Sequence, residues 1–104
     1  RFAKIGGEML SLAAIEAMAA GLWPEATHVA VTIPDPRKGE QIVLVTDRPD
    51  ADRAALLAHG KAEGVSELFI PRAILVVGAV PVLGAGKVDY VGTADLARSM
   101  RSMI

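Results

Sequence analysis

Cysteine is absent from this chain of 104 residues, and aromatic residues make up only 4% of it. The lack of cysteine excludes disulfides and thiolate metal sites, and it is consistent with a reducing compartment. Because rings are so scarce, the core has to be built from alanine, valine, leucine, isoleucine and methionine. A chain of this length forms at most one domain, which buries roughly two thirds of its unfolded surface.

Long apolar runs and blocks of like charge are also missing. The net charge is −1 and the cations are dispersed, so we expect no nucleic-acid partner. The longest apolar stretch, residues 73–83, is interrupted by Gly78 and Pro81 and is too short to span a membrane. The first residues resemble no signal peptide, and the absence of an initial methionine suggests a fragment of a longer protein.

The first third of the chain predicts a hairpin followed by a helix. Strands over residues 2–5 and 8–10 flank the turn Gly6-Gly7. Ser11 is a suitable N-cap for a helix that runs to about Ala20, with Gly21 just beyond its end.

A second hairpin and a second helix follow. Strands over residues 27–33 and 40–46 are separated by a turn rich in proline and glycine. Asp50 is the expected N-cap of a helix that extends to Glu63, and Gly64 is the expected stop.

The last third predicts a strand over residues 71–77, apolar enough to lie centrally in a sheet, and a final helix capped by Thr93. The order β-β-α-β-β-α-β-α predicts an α+β fold. We expect a small mixed sheet with an N-terminal hairpin and three helices.

A lysine at the tip of a glycine-flanked turn is the most informative feature. Gly84-Ala85-Gly86-Lys87 follows an apolar run, and glycines allow a ligand to approach the backbone. The turn is not a phosphate loop, because Val88 stands where that motif needs serine or threonine. From spacing alone, a cation that reaches an anionic group and a solvated loop lysine remain equal alternatives.

The other chemistry-bearing residues favour structural roles. Asp35 and Glu40 lie at a hairpin tip and are expected to form the turn rather than to bind metal, so we predict no metal ligands. His28 and His59 lie on different elements, and Ser11 is better explained as a cap than as a nucleophile. The Gly6-Gly7 pair is either a tight turn or a place where a narrow ligand approaches the backbone.

Four blocks of residues, taken in order, resemble motifs of the C-terminal domain of the adenylate-forming acyl synthetases. This superfamily includes acyl-CoA synthetases, luciferases and peptide-synthetase adenylation domains. The blocks are Lys4-Ile5-Gly6-Gly7-Glu8 with Ile15-Glu16, residues 34–40, Pro71-Arg72, and Val80-Pro81 with Gly84-Ala85-Gly86-Lys87.

Residues 1–12 resemble more narrowly the acyl-[acyl-carrier-protein] synthetase branch, found in bifunctional 2-acylglycerophosphoethanolamine acyltransferases. The chain departs from the family at two places. Asp89 stands where many relatives carry arginine, and Ala85 replaces a serine or threonine.

The resemblance implies that residues 1–104 are a single mobile C-terminal lid domain. A larger N-terminal domain, absent from this chain, would bind ATP, magnesium and a fatty acid. Lys87, presented beside Gly86, would reach the acyl carboxylate and the α-phosphate. The isolated lid is expected to be inactive and to bind no cofactor.

A second half-reaction is implied after the lid rotates about a hinge just before Arg1. The loop comprising Lys4, Gly6, Gly7 and Glu8 would then admit the phosphopantetheine thiol of an acyl carrier protein or of coenzyme A. The resemblance also implies a location on the cytoplasmic face, with the full-length protein associated with the inner membrane.

Two alternatives belong to other classes. One is a non-enzymatic module that docks an acidic carrier protein through Arg1, Lys4, Arg72 and Lys87. The other is a nucleotide-binding α+β regulator. Binding of carrier protein or of ATP by the chain alone would favour one of these.

Overall fold

The computed structural model describes residues 1–37 and 39–102, so Lys38 in the second motif lies outside the described residues. In chain order the elements are β1 (Phe2–Ile5), β2 (Glu8–Ser11), α1 (Leu12–Leu22), β3 (His28–Asp35), β4 (Gly39–Thr46), α2 (Arg53–Ala62), a short 3-10 helix (Glu67–Phe69), β5 (Ala73–Val76) and α3 (Tyr90–Ser102). The predicted order of elements is confirmed.

The strands form two sheets. Strands β1 and β2 pair as an antiparallel hairpin, with Ala3 opposite Leu10. The second sheet has the order β3-β4-β5, in which β3 and β4 are antiparallel and β4 and β5 are parallel. The predicted α+β class, with a mixed sheet, an N-terminal hairpin and three helices, is therefore confirmed.

The mixed sheet is covered on both faces. Ala30, Ile42 and Leu44 pack on one side with α1, α2 and the hairpin. Alternate residues of the same strands, among them Val31 and Val45, pack on the other side with α3 and the segment before it. Both strands therefore lack the alternation of buried and exposed residues that a one-sided sheet shows.

The prediction that residues 71–77 form the central strand is wrong. The central strand is β4, while β5 lies at an edge and spans only Ala73–Val76. Residues 73–75 of β5 are only partly buried and Val76 is 40% exposed, because nothing in the described residues pairs with the outer edge of β5. The side chains of β5 are apolar because they contact the margins of the hydrophobic layers on both faces of the sheet.

The start of α1 is as predicted, but its end is not. The Ser11 hydroxyl oxygen accepts a hydrogen bond from the Ala14 N–H at 3.1 Å. The helix continues through Gly21 to Leu22, so Gly21 is not its C-terminal stop. A Cβ at Gly21 would lie 3.3 Å from His59 Nε2, so this glycine permits the close approach of α1 and α2.

The second helix begins later than predicted. Asp52, not Asp50, is the N-cap of α2, and its carboxylate accepts from the Ala55 N–H at 2.9 Å. Asp50 instead forms an ion pair with Arg48, and that hydrogen bond lowers the pKa of the Asp50 carboxyl group. Gly64 has a φ of +77° and follows the helix end, as predicted.

The third helix begins earlier than predicted. Asp89 accepts a hydrogen bond from the Gly92 N–H at 2.9 Å and occupies the capping position of α3. Thr93, the predicted cap, lies inside the first turn, is fully buried, and donates its hydroxyl hydrogen to the Asp89 carbonyl oxygen. The aspartate that departs from the family pattern thus has a local structural role.

No helix within the described part of the chain is long and apolar enough to cross a bilayer.

The assignment of β4 as the central strand can be tested with matched valine-to-threonine variants. Val45 is fully buried in β4, so Val45→Thr places a hydroxyl group in an apolar layer and should lower the free energy of unfolding by about 1–3 kcal/mol. Val76→Thr on the exposed edge strand should change it by less than about 0.5 kcal/mol. Urea denaturation measures both, and equal losses would contradict the strand order.

Candidate functional site

The Lys87 turn is a closed loop held by backbone hydrogen bonds. The Leu83 N–H donates to the Lys87 carbonyl at 2.7 Å, and the Gly86 N–H donates to the Leu83 carbonyl at 2.8 Å. Val82 and Val88 form an antiparallel bridge below the turn. Gly86 has a φ of +82°, a conformation that favours glycine. The backbone of the turn therefore explains why a glycine precedes Lys87.

The loop presents the Lys87 side chain to solvent. Lys87 is exposed, and among residues 1–37 and 39–102 no ion pair to its ammonium group is present. Val82 and Leu83 beside it are more than half exposed, at 59% and 52%. An unpaired cation within an exposed apolar margin is able to contact an anionic group on another surface.

The Gly6-Gly7 turn has an equally local cause. Both glycines have positive φ, at +57° and +87°, as a two-residue turn between paired strands requires. A Cβ at either position would contact nothing within 4 Å. The turn therefore explains both glycines, and it also leaves open space around a backbone flanked by the exposed Lys4 and Glu8.

Glu40 fixes the hairpin over the sheet. Its carboxylate accepts a hydrogen bond from the Lys4 backbone N–H at 2.9 Å. The second motif is thereby joined to the first. The sequence placed Glu40 at the end of a turn and the start of a strand but did not predict this contact, because it spans 36 residues and no local pattern indicates it.

A cavity of about 250 Å³ lies beside this contact. Ile5 and Glu40 line it together with Arg72 of the third motif, and Arg53 donates from Nε to the Pro71 carbonyl oxygen at 2.8 Å. Three of the four motif blocks therefore meet on the hairpin side of the domain.

Lys87 is not brought to this cavity. The inner face of the hairpin, represented by Ala3 and Ile5, belongs to the hydrophobic layer that contains α1 and α2. Val80 and Val88, which flank the Lys87 loop, belong to the layer that contains α3. The two predicted loops therefore lie in layers on opposite faces of the mixed sheet.

Large exposed apolar side chains concentrate around both loops. The outer face of the hairpin carries Phe2 and Met9, which are 64% and 62% exposed, on either side of Lys4. Of the eight large hydrophobic side chains that are exposed in the described residues, six lie in the β1–β2 hairpin or in residues 82–91, which comprise the Lys87 loop and the start of α3. These are Phe2, Met9, Val82, Leu83, Tyr90 and Val91.

Arg1 is committed to contacts within the chain. Its guanidinium forms a two-pronged ion pair with Glu16, with distances of 3.1 and 2.8 Å, and donates to the Ala30 carbonyl at 2.8 Å. The hydrogen bonds that Arg1 donates to Glu16 raise the pKa of Arg1 above its usual value. Of the four cations in the predicted docking set, Arg1 is therefore already engaged.

His28 and Asp35 have structural partners, as the sequence indicated. His28 Nε2 lies 2.8 Å from the Trp23 carbonyl oxygen, and His28 Nδ1 lies 2.9 Å from the Thr46 hydroxyl. His59 lies between α1 and α2, with Nε2 3.0 Å from Glu63 Oε1. Asp35 accepts from the Arg37 N–H and shapes the hairpin tip.

No cluster of three or more histidine, cysteine, aspartate or glutamate side chains suited to a metal occurs in the described residues.

No protein-family profile matches the chain. A curated relative, pseudomonine synthase PmsE of Pseudomonas entomophila, is 33% identical over 87 residues. The match covers 81% of this chain but only 14% of that protein. The chain is thus similar to a small part of a much larger synthase.

The chain also matches a part of several larger proteins of known structure. The chain matches the apo structure of MbtA from Mycobacterium smegmatis with a TM-score of 0.81 and 28% identity, over 91% of this chain and 18% of MbtA. It matches a fatty acyl CoA synthetase of Mycobacterium tuberculosis with a TM-score of 0.81 and 18% identity, over 95% of this chain and 20% of that enzyme. The latter shows a shared fold.

The matches cover more than nine-tenths of the chain, and they share its α+β fold. With the curated synthase, they identify the chain as a C-terminal domain of the adenylate-forming enzymes.

Proposed function

We propose that this chain is the mobile C-terminal domain of a fatty acid–AMP ligase. The larger enzyme would use ATP to convert a fatty acid into acyl-AMP and would then transfer the acyl group to a phosphopantetheine thiol. The observation that carries the proposal is the placement of two exposed, glycine-bearing lysine loops in opposite layers of one small domain. Two surfaces on one rigid body suit two half-reactions at one site.

Lys87 would act in the first half-reaction. A carboxylate oxygen of the fatty acid attacks the α-phosphorus of ATP, a new oxygen–phosphorus bond forms, and pyrophosphate leaves. Negative charge accumulates on the phosphoryl oxygens, where a positioned ammonium group stabilises it. The exposure of Lys87 and its lack of an ion-pair partner in the described residues support this role, because no internal contact has to break.

The hairpin would act in the second half-reaction. The thiol sulfur attacks the acyl carbonyl carbon, the thiol proton is lost to solvent, and AMP leaves with the electron pair of the broken carbon–oxygen bond. Lys4, Gly6, Gly7 and Glu8 would line the approach of the pantetheine arm. The open space around both glycines and the anchoring of Lys4 by Glu40 support this role.

The missing partner would be the enzyme's own N-terminal domain. The exposed apolar side chains around both loops would be covered by that domain in alternate orientations of the lid. The chain spans 14% to 20% of the proteins described above, which leaves room for such a domain in a protein of their size.

The same proposal extends to the acceptor of the acyl group and to the metabolic pathway. The similarity of residues 1–12 to the acyl carrier protein synthetase branch favours acyl carrier protein over coenzyme A. It also favours a link to lysophospholipid reacylation at the cytoplasmic face of the inner membrane. ATP and magnesium would be held by the N-terminal domain.

Separate assays of the half-reactions test the role of Lys87. In the full-length enzyme, Lys87→Ala should lower ATP–pyrophosphate exchange by about 100-fold or more, because a positioned charge in the transition state is lost. Thiol transfer from supplied acyl-AMP should be unchanged. Lys61→Ala, which removes another exposed lysine on α2, is the matched control and should alter neither reaction. Equal loss in both half-reactions would contradict two separate surfaces.

The hairpin is tested by a pair of glycine-to-leucine variants. Gly7 and Gly64 both have positive φ and open surroundings, so leucine imposes a similar backbone strain of about 1–2 kcal/mol at each. Gly7→Leu should also slow thiol transfer by about 10-fold relative to pyrophosphate exchange, because the side chain blocks the thiol's approach. Gly64→Leu should lower only the free energy of unfolding. If Gly7→Leu and Gly64→Leu have the same effect on the rate of thiol transfer, the hairpin is not the entrance for the thiol.

A further inference from the structure

One side chain links the two layers that hold the predicted loops. Arg1 immediately precedes β1, and its guanidinium is fixed by Glu16 on α1 and by the Ala30 carbonyl at the edge of β3. The same guanidinium lies over the ring of Tyr90, with 3.8 Å from Cζ to the ring centre. Arginine suits this position better than lysine. Its planar guanidinium can form two hydrogen bonds to a carboxylate and can also stack on an aromatic ring.

Tyr90 stands at the base of the Lys87 loop. It is the first residue of α3 and directly follows Asp89, whose carboxylate caps that helix. The Asp89 N–H donates to the Pro81 carbonyl at 3.0 Å, which closes the loop at its base. The position of Lys87 is therefore coupled to the start of α3 by a short, hydrogen-bonded segment.

Few other contacts restrain the first turn of α3, where Tyr90 lies. Tyr90 is 44% exposed and Val91 is 74% exposed, so the first turn of α3 is only partly packed. Burial begins at Thr93 and Ala97, further along the helix. The Arg1 guanidinium therefore restrains a part of α3 that the hydrophobic layer leaves less constrained.

We propose that Arg1 and Tyr90 are positioning residues that hold the Lys87 loop in register with the rest of the lid. Neither residue touches the reacting atoms. Their effect on adenylation rests on the proposed function of Lys87, whereas their effect on the loop itself does not. The stack sets where the loop lies, and Lys87 supplies the charge.

The loop is tested directly in the 104-residue chain by amide hydrogen exchange. The Leu83 and Gly86 N–H groups are hydrogen-bonded within the loop, so their exchange rates report on its opening. Tyr90→Leu should raise these rates by about 10-fold, since the loss of a cation–π contact weakens the restraint. Tyr90→Phe keeps the ring and should leave them unchanged, as should the buried amides of β4. Unchanged loop exchange in Tyr90→Leu would overturn the proposal.

The consequence for activity is tested in the full-length enzyme. Tyr90→Leu and Arg1→Lys should lower kcat of ATP–pyrophosphate exchange by about 10-fold without a change in KM, because a displaced lysine loses transition-state contact. Tyr90→Phe should restore the rate, and transfer from supplied acyl-AMP should stay normal. Loss of both half-reactions together would overturn the positioning role and indicate a general structural one.

The two failures can be told apart with Lys87→Ala. If Lys87→Ala leaves ATP–pyrophosphate exchange intact, the proposed function of Lys87 is wrong. The amide hydrogen-exchange rates of the loop then show by themselves whether Arg1 and Tyr90 restrain it. If Lys87→Ala is inactive while Tyr90→Leu is fully active, the positioning role is wrong and the proposed function stands.

Discussion

Burial of β3 and β4 on both faces is the constraint that organises this domain. A sheet with two apolar faces needs a covering layer on each side, and the chain supplies one from the hairpin, α1 and α2 and the other from α3 and the segment before it. The loops that carry Lys4 and Lys87 belong to different layers for this reason. The separation of the two candidate sites thus follows from the packing of the core.

The exposed edge of β3 creates a second requirement, which Arg1 and Glu16 meet together. The Glu16 carboxylate accepts from the Ala30 N–H at 2.8 Å, and Arg1 donates to the Ala30 carbonyl at 2.8 Å. The pair satisfies both polar groups of Ala30, as a neighbouring strand would, and it blunts an otherwise free edge. The same guanidinium then reaches Tyr90, so the protection of the edge and the link between layers depend on one ion pair.

Local signals predicted the elements whose cause is local. The turn at Gly6-Gly7, the cap at Ser11 and the stop at Gly64 were correct because each depends on backbone conformation or on a contact within three residues. Gly21 was misleading for the opposite reason, because it lies inside α1 and permits the close approach of α2. A Cβ at Gly60 would lie 2.7 Å from Ile70 Cδ1, so this glycine serves a close approach between distant segments.

The sequence by itself determined the order of elements, the α+β class and the two glycine-bearing lysine loops, because hydrophobic periodicity and turn residues encode these over short distances. Only the tertiary structure decided that β4 is central, that Glu40 holds Lys4, and that Arg1 reaches Tyr90. These depend on contacts between residues far apart in the chain. An apolar strand or a charged side chain carries no local mark of which distant partner it will meet.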